Sequence, residues 1–144
     1  MHTLRSISRR LVLAATLLAL PALTATAPVV AAGLHGGHEA PAFSVELPNV
    51  PGKRLTAIVV HYAPGGASPA HHHAGSVFAY VLTGVIRSQN SATGPARDYR
   101  AGESFFEPPG SHHLVSENAS KTEPASLLAI FVADDGAVLT APDK

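Results

Sequence analysis

Short runs of apolar residues, separated by polar residues and turn formers, recur along the chain after residue 42. Residues 43–47 alternate apolar and polar side chains, which predicts a half-buried β-strand. Residues 55–62 form a longer β-branched and apolar run that predicts a second strand. Further runs predict strands at 77–82, 85–89, 98–100, 104–107, 113–116 and 125–132. The result is about eight short strands spaced roughly 8–12 residues apart, which is typical of a β-sandwich or β-barrel.

The composition agrees with an all-β chain and narrows its function. The 144 residues support one domain, and 12 Gly and 12 Pro suit strands joined by turns better than a helical bundle. The absence of Cys excludes disulfides, thiolate metal sites and a cysteine nucleophile. Ten basic and ten acidic residues leave no net charge, which argues against nucleic-acid binding.

The first 32 residues have the layout of a cleavable signal peptide. Arg5, Arg9 and Arg10 precede an apolar run at Leu11–Leu20, which is too short for a permanent membrane span. The small residues Val30–Ala32 then resemble a cleavage site before Gly33. The mature protein is therefore expected to be periplasmic or secreted. Residues 8–13 also resemble a twin-arginine export signal, and the sequence leaves open whether the Sec or the twin-arginine route is used.

These observations divide the chain into four parts. We expect a signal peptide at residues 1–32, a flexible lead at 33–42, a β-barrel at 43–133 and a C-terminal tail at 134–144.

The histidines are the main candidates for chemistry, since the chain has nine of them. Five lie in two tight clusters, at residues 71–73 and 112–113. His71 and His73 are two positions apart, so on an extended strand they point to the same face, while His72 points away. Neutral imidazole is the commonest protein ligand for metals, and two on one face can share an ion.

The first cluster lies in a segment that resembles the first motif of the cupin family. Gly65 is followed by five residues, His71-x-His73, three residues, Val77, six residues and Gly84. The family has a Glu where this chain has Val77. The second cluster lies in a segment that resembles the second cupin motif.

In the second segment, Gly102 is followed by five residues, Pro108-Pro109-Gly110, two residues and His113. The motif then has three residues and an Asn, but here that position is Glu117, with Asn118 one later. The resemblance implies an all-β double-stranded β-helix, or jelly roll, with a metal in the mouth of the barrel. It also implies that His71, His73 and His113 are metal ligands.

Val77 leaves two interpretations of the site. In one, three His hold a divalent metal with open positions for a substrate and oxygen, as in the three-His cupin dioxygenases. In the other, the metal site has been lost and the barrel binds a small molecule by shape. The sequence does not distinguish Fe, Zn, Cu, Ni and Mn as the ion.

Glu107 is the candidate for an extra ligand or pocket acid, because it directly precedes Pro108 at the end of a predicted strand. The alternative is that it faces solvent, since a buried acid is costly unless it is paired or metal-bound. Glu103, Gln89 and Arg87 are weaker candidates. We expect His61 not to be a ligand, and His72 and His112 to point outward.

The signal-peptide layout predicts export, and the resemblance implies a metal-binding cupin, with a dioxygenase or other oxidoreductase activity on a small oxygen-bearing organic molecule as the leading hypothesis. The alternative is a non-catalytic sensor or small-molecule-binding module, because cupin barrels host enzymes and binders alike. The expected partner is a small-molecule ligand or substrate. Cupin barrels commonly form homodimers, and that state is compatible with either function.

Overall fold

The computed structural model describes residues 37–144, and every regular element in that range is a β-strand. The signal peptide predicted at residues 1–32 lies outside the described residues. The strands are β1 (Gly37–Glu46), β2 (Lys53–Tyr62), β3 (Ala67–Ser68), β4 (His71–His73), β5 (Ser76–Thr83), β6 (Val85–Asn90), β7 (Arg97–Arg100), β8 (Ser104–Glu107), β9 (His112–Asn118), β10 (Ala125–Asp134) and β11 (Thr140–Pro142).

The strands form two antiparallel sheets that face each other as a double-stranded β-helix. One sheet has the order β1-β2-β10-β5-β8, and the other has the order β11-β4-β9-β6-β7, with β3 paired to β9. The strands that carry the two histidine clusters, β4 and β9, are neighbours in the second sheet. The predicted all-β jelly roll is therefore confirmed, and no membrane-spanning helix is found within residues 37–144.

The core lies between the two sheets, and its buried side chains alternate along the strands with side chains that face outward. In β5, Val77, Ala79 and Val81 are buried, while the residues between them face outward. Ile86 on β6 and Phe131 on β10 pack in the same cluster. Burying a side chain of this size stabilises the fold by roughly 1.5–3 kcal/mol. Phe131 of this packed layer also contacts the ring of His73 across the barrel, with ring centroids 5.2 Å apart.

Gly84 makes the tight connection between β5 and β6. Its φ is +71°, and a Cβ at this position would lie 2.7 Å from the Pro124 carbonyl oxygen. An L side chain is therefore excluded both by backbone conformation and by space. The glycine that closes the first motif is thus required by the hairpin.

One extra residue in β9 explains the late asparagine of the second motif. Gln89 of β6 pairs with Val115, but the next residue, Asn90, pairs with His113, so β9 carries a β-bulge between them. The bulge moves Asn118 into the buried position, where its Nδ2 donates to the carbonyl oxygens of Ala63 and Glu123. The departure in spacing is thus absorbed by the local backbone.

The structure also differs from the predicted segment boundaries. β1 begins at Gly37, inside the expected flexible lead, and β11 lies inside the expected C-terminal tail. The short strands β3, β4 and β11 have two or three residues each, too few to show a period of their own. They exist because neighbouring strands supply hydrogen-bond partners, which a local sequence pattern does not reveal.

Candidate metal centre

Three histidines converge on the inner face of the second sheet. His71 lies directly opposite His113 in the β4–β9 pairing, and His73 follows His71 on the same face of β4. The ring centroids are 4.8 Å apart for His71 and His73, 5.0 Å for His71 and His113, and 6.3 Å for His73 and His113. One ring nitrogen from each histidine lies within 4.8 Å of the other two. The structure therefore brings together the three histidines that the motifs singled out.

Backbone carbonyls orient the two histidines of β4. The Nδ1 of His71 lies 2.6 Å from the Pro69 carbonyl oxygen. The Nδ1 of His73 lies 3.2 Å from the Leu139 carbonyl oxygen and 3.2 Å from the Thr140 hydroxyl. Because a carbonyl only accepts hydrogen bonds, Nδ1 carries the proton in both rings. Their Nε2 atoms are left with a lone pair, as in histidines that bind metals.

His113 is held between two side chains. Its Nε2 lies 2.8 Å from the Ser88 hydroxyl, and its Nδ1 lies 3.2 Å from Oε1 of Glu107. Both His113 and Ser88 are buried. The ring is therefore fixed in orientation, with Nδ1 toward the carboxylate.

Glu107 faces into the barrel, with 3 % of the residue exposed. The alternative that it faces solvent is therefore wrong. In the β5–β8 pairing Glu107 lies directly opposite Val77, the position where the family pattern has its Glu. Residues directly opposite in a sheet share one face, so the carboxylate enters the cavity from the adjacent strand. Its Oε2 lies 3.8 Å from the Nε2 of His73.

The electrostatics of the cluster favour neutral His71 and His73 beside an ionised carboxylate. Burial lowers the pKa of His73 to about 4, and burial also lowers the pKa of His71. Burial on its own would raise the pKa of Glu107, but the hydrogen bonds with His113 and Asn90 and the proximity of the histidines outweigh burial and hold that pKa below its ordinary value. At neutral pH His71 and His73 thus present unprotonated imidazole nitrogens beside a carboxylate, and these are the forms that bind metals.

The cluster opens into a cavity of about 110 Å³ between the two sheets. Its walls are largely apolar and include Ile58, Val60, Phe105, Leu127 and Phe131. A cavity of about 150 Å³ accommodates benzene, so this one suits a molecule of a similar or smaller size. An apolar chamber with a few convergent polar groups is the usual form of a small-molecule site.

Tyr62 adds a further polar group to the cavity wall. Its hydroxyl lies 2.8 Å from the Ser68 hydroxyl and 2.9 Å from the Ser116 hydroxyl. Burial raises the pKa of Tyr62 above its ordinary value, so the hydroxyl stays neutral and can donate a hydrogen bond.

The weaker candidates lie away from the cluster. Glu103 and Arg87 are exposed, and Arg87 pairs with Asp98 at 2.7 Å. Gln89 alternates with the buried Ser88 and Asn90, so it points to the opposite face of β6. His61 is exposed on β2. His72 and His112 lie on the outer face, as expected.

Ser88 and Asn90 support the site and were not foreseen from the sequence. Asn90 donates from Nδ2 to Oε2 of Glu107 at 3.1 Å, and Ser88 contacts His113. Both alternate with Ile86, which is fully buried, on the inner face of β6. Polar residues at buried positions of a period-two strand need partners, and this signal could have identified them.

The donor set fits a metal ion. His71, His73 and His113 offer three imidazoles, with the Glu107 carboxylate beside them, which suits a divalent transition metal such as Zn or Fe. The arrangement does not select among Fe, Zn, Cu, Ni and Mn.

Comparison with known families and structures agrees with this architecture. The profile of the family described as Cupin domain matches residues 58–131, which includes both histidine clusters. A search of curated proteins finds no significant match.

Solved structures share the fold at low sequence identity. An oxalate oxidase in complex with glycolate is 22 % identical, with a TM-score of 0.58 over 81 % of this chain and 62 % of that one. A cupin domain from Bordetella pertussis Tohama I is 19 % identical, with a TM-score of 0.52 over 67 % of this chain and 93 % of that one.

The DMSP lyase DddQ from Ruegeria pomeroyi DSS-3 is 23 % identical, with a TM-score of 0.52 over 61 % of this chain. This chain spans 42 % of that lyase and 44 % of a second DMSP lyase structure, less than half of their lengths. At these identities the likeness concerns the fold alone.

Proposed function

Because this chain belongs to the cupin domain family, we propose that it is an exported metal-dependent protein that acts on a small oxygen-bearing organic molecule. The proposed activity is that of an oxidoreductase, with a dioxygenase as its first form. The observation that carries the proposal is the convergence of His71, His73, His113 and Glu107 at one end of an apolar cavity.

In this proposal Glu107 replaces the glutamate that the family pattern places at Val77. The two positions are directly opposite in the β5–β8 pairing, so a carboxylate on either strand reaches the same region of the cavity. The contacts of Glu107 with His113 at 3.2 Å and His73 at 3.8 Å are close to the ~3.4 Å that separates two ligand atoms around a tetrahedral ion. The ligands would then be three imidazoles and one carboxylate.

A divalent ion held by His71, His73, His113 and Glu107 would supply a Lewis acid and a template for the oxygen atoms of the reactants. Three neutral imidazoles and one carboxylate leave a divalent site with net positive charge, which favours an anionic or enolate oxygen on the substrate. The reaction class proposed adds both atoms of O2 to the substrate, and it therefore needs no other oxidant.

The surrounding side chains have defined tasks in this proposal. The apolar wall with Phe105 and Phe131 excludes water and holds the hydrocarbon part of the substrate. Tyr62, neutral and fixed by two serines, donates a hydrogen bond to a polar group of the substrate. The Ser88 and Leu139 contacts keep His113 and His73 in position during turnover.

Ligand binding without catalysis is the second candidate function. One observation favours it: both ring nitrogens of His113 already have protein partners, so the cluster is a complete hydrogen-bonded unit on its own. A barrel of this kind would bind a small polar molecule by shape and hydrogen bonding.

The first experiment measures bound metal. The untagged full-length protein is expressed with its own leader, purified without chelators, and analysed by mass spectrometry for metal content. We expect His73→Ala and Glu107→Gln each to lose one ion per chain relative to wild type. The exposed His61→Ala serves as the matched control and should lose none. Oxygen consumption is then followed with diketone, thiol and phenolic compounds.

The outcomes separate the two candidates. Metal at the histidine cluster together with oxygen consumption supports the oxidoreductase. Metal at the histidine cluster without oxygen consumption overturns the oxidoreductase proposal. A cluster that takes up no metal on titration also overturns it, and that result favours ligand binding by shape. Detection of the processed protein in the periplasm or medium tests the proposed export.

A further inference from the structure

A second group of metal-binding side chains lies on the outer face of the same sheet. It consists of His72 on β4, His112 on β9 and Asp143 just after β11, and we name it the outer triad. The Nδ1 atoms of both histidines lie 2.9 Å from the same oxygen, Oδ1 of Asp143. The side chains of His72 and His112 are 44 % and 51 % exposed, and that of Asp143 is 18 % exposed. The group is therefore open to solvent and to ions.

The strand pairing places these three residues together. His72 lies directly opposite His112 in the β4–β9 pairing, so their side chains leave the sheet side by side. On the other edge of β4, Ala141 lies opposite His72. Asp143 is two residues after Ala141 and so points to the same face, and its backbone N donates to the Ala70 carbonyl oxygen at 3.0 Å. β4, β9 and the residue that follows β11 thus deliver one donor each.

We propose that the outer triad is a second metal site, which binds a divalent transition-metal ion such as Zn²⁺ through His72, His112 and Asp143. One donor atom from each residue lies within 4.8 Å of the other two. Around a tetrahedral zinc ion, ligand atoms are ~3.4 Å apart, so the 2.9 Å contacts would open by about half an ångström. Two imidazoles and a carboxylate are ligands that zinc, copper and nickel prefer over magnesium or calcium.

The charge environment supports a cation at this position. Within residues 37–144, the only ion-pair partners of Asp143 are the two histidines, and no lysine or arginine neutralises its carboxylate. With neutral imidazoles the triad carries one negative charge. Three protein ligands leave at least one position of a tetrahedral ion open to water.

An ion in the outer triad would also fix the end of the chain. Asp143 follows β11, whose Thr140 contacts the Nδ1 of His73 in the inner cluster. Tying Asp143 to β4 and β9 therefore stabilises the segment that orients an inner histidine. The outer site does not depend on a metal in the inner cluster, since it shares no ligand with it.

The test is the stoichiometry of Zn²⁺ binding to the untagged full-length protein, measured by equilibrium dialysis and titration calorimetry. We expect the variant His72→Ala/His112→Ala to lose one bound ion per chain. Asp143→Asn keeps the size of the side chain and should weaken the same binding event by at least tenfold. His61→Ala is again the control for an exposed histidine outside the triad and should bind as wild type.

The inner variant His71→Ala/His73→Ala separates this proposal from the proposed function, because it should still bind Zn²⁺ at the outer triad. A second readout is hydrogen exchange, where Zn²⁺ should slow the Asp143 amide in wild type and not in Asp143→Asn. The proposal is overturned if the triad variants bind as many ions as wild type. It is also overturned if Zn²⁺ leaves exchange at Asp143 unchanged, since the triad would then be only a hydrogen-bonded clasp.

Discussion

The two faces of β4 and β9 carry the same residue type and create two different environments. His71, His73 and His113 point inward to a cavity, where backbone carbonyls and buried side chains orient them. His72 and His112 point outward and share the half-buried carboxylate of Asp143. On each strand, the outward histidine is only one position away in sequence from an inward histidine.

The comparison shows that strand alternation is the first determinant of the environment of a histidine. It places the side chain on the inner or the outer face, and the neighbouring residues act on it only within that environment. The inward face removes water, which brings the pKa of His73 down to about 4 and makes every polar contact costly to lose. The outward face leaves the rings hydrated, so their contacts form and break at little cost. The predictions below test this contrast.

Removing the inner carboxylate should produce the largest effect. In metal-free protein, Glu107→Ala leaves the buried His113 Nδ1 without its carboxylate partner and leaves Asn90 Nδ2 with only the Ser111 hydroxyl, and it should reduce the free energy of unfolding by about 3 kcal/mol. Asp143→Ala removes a carboxylate from the outer face and should cost much less. Urea denaturation of both variants measures the difference, and equal losses would contradict the contrast.

Removing the buried Tyr62 hydroxyl should have a smaller, pH-dependent effect. At pH 8, Tyr62→Phe should lose about 1 kcal/mol of stability, because two serine hydroxyls lose a partner. The folded pKa of Tyr62 is raised above the ordinary 10.0, so its stabilisation is complete below pH 10 and is lost as the pH rises through the folded pKa.

The difference in the free energy of unfolding between wild type and Tyr62→Phe should therefore become smaller above pH 10, as measured by denaturation at pH 8 and pH 11. The exposed Tyr80 offers the matched control, and Tyr80→Phe should leave stability at pH 8 nearly unchanged. A stability difference between wild type and Tyr62→Phe that increases with pH would contradict the predicted direction of the pH dependence.

Thr140→Val should have the smallest effect of the three. It keeps the shape of the side chain but removes the hydroxyl 3.2 Å from His73 Nδ1, while the Leu139 carbonyl remains. Metal affinity at the inner cluster should fall a few-fold, less than the roughly 10–100-fold typical when a ligand loses its only supporting partner. Competition with a chelator measures it, with Thr122→Val at a remote turn as the control. A loss above 100-fold would assign the hydroxyl a larger role.

The sequence predicts the long strands and the inner histidines because both depend on local spacing. Alternation marks β5 and β6, and the two motifs identify His71, His73 and His113. The direction of Glu107 depends on its register with Val77, which no local pattern specifies. Asp143 reaches His72 across 71 residues of chain only because the three-residue strand β11 pairs with β4.

The pairing of Val77 with Glu107 has a consequence for how such sites change in evolution. Side chains at two positions on adjacent strands reach the same part of the cavity. A carboxylate can therefore be encoded at either position and still lie at the same place in the site. A lineage can acquire the second carboxylate before it loses the first. A motif that lacks its carboxylate at one strand position can therefore still be complete when the residues at both paired positions are compared together.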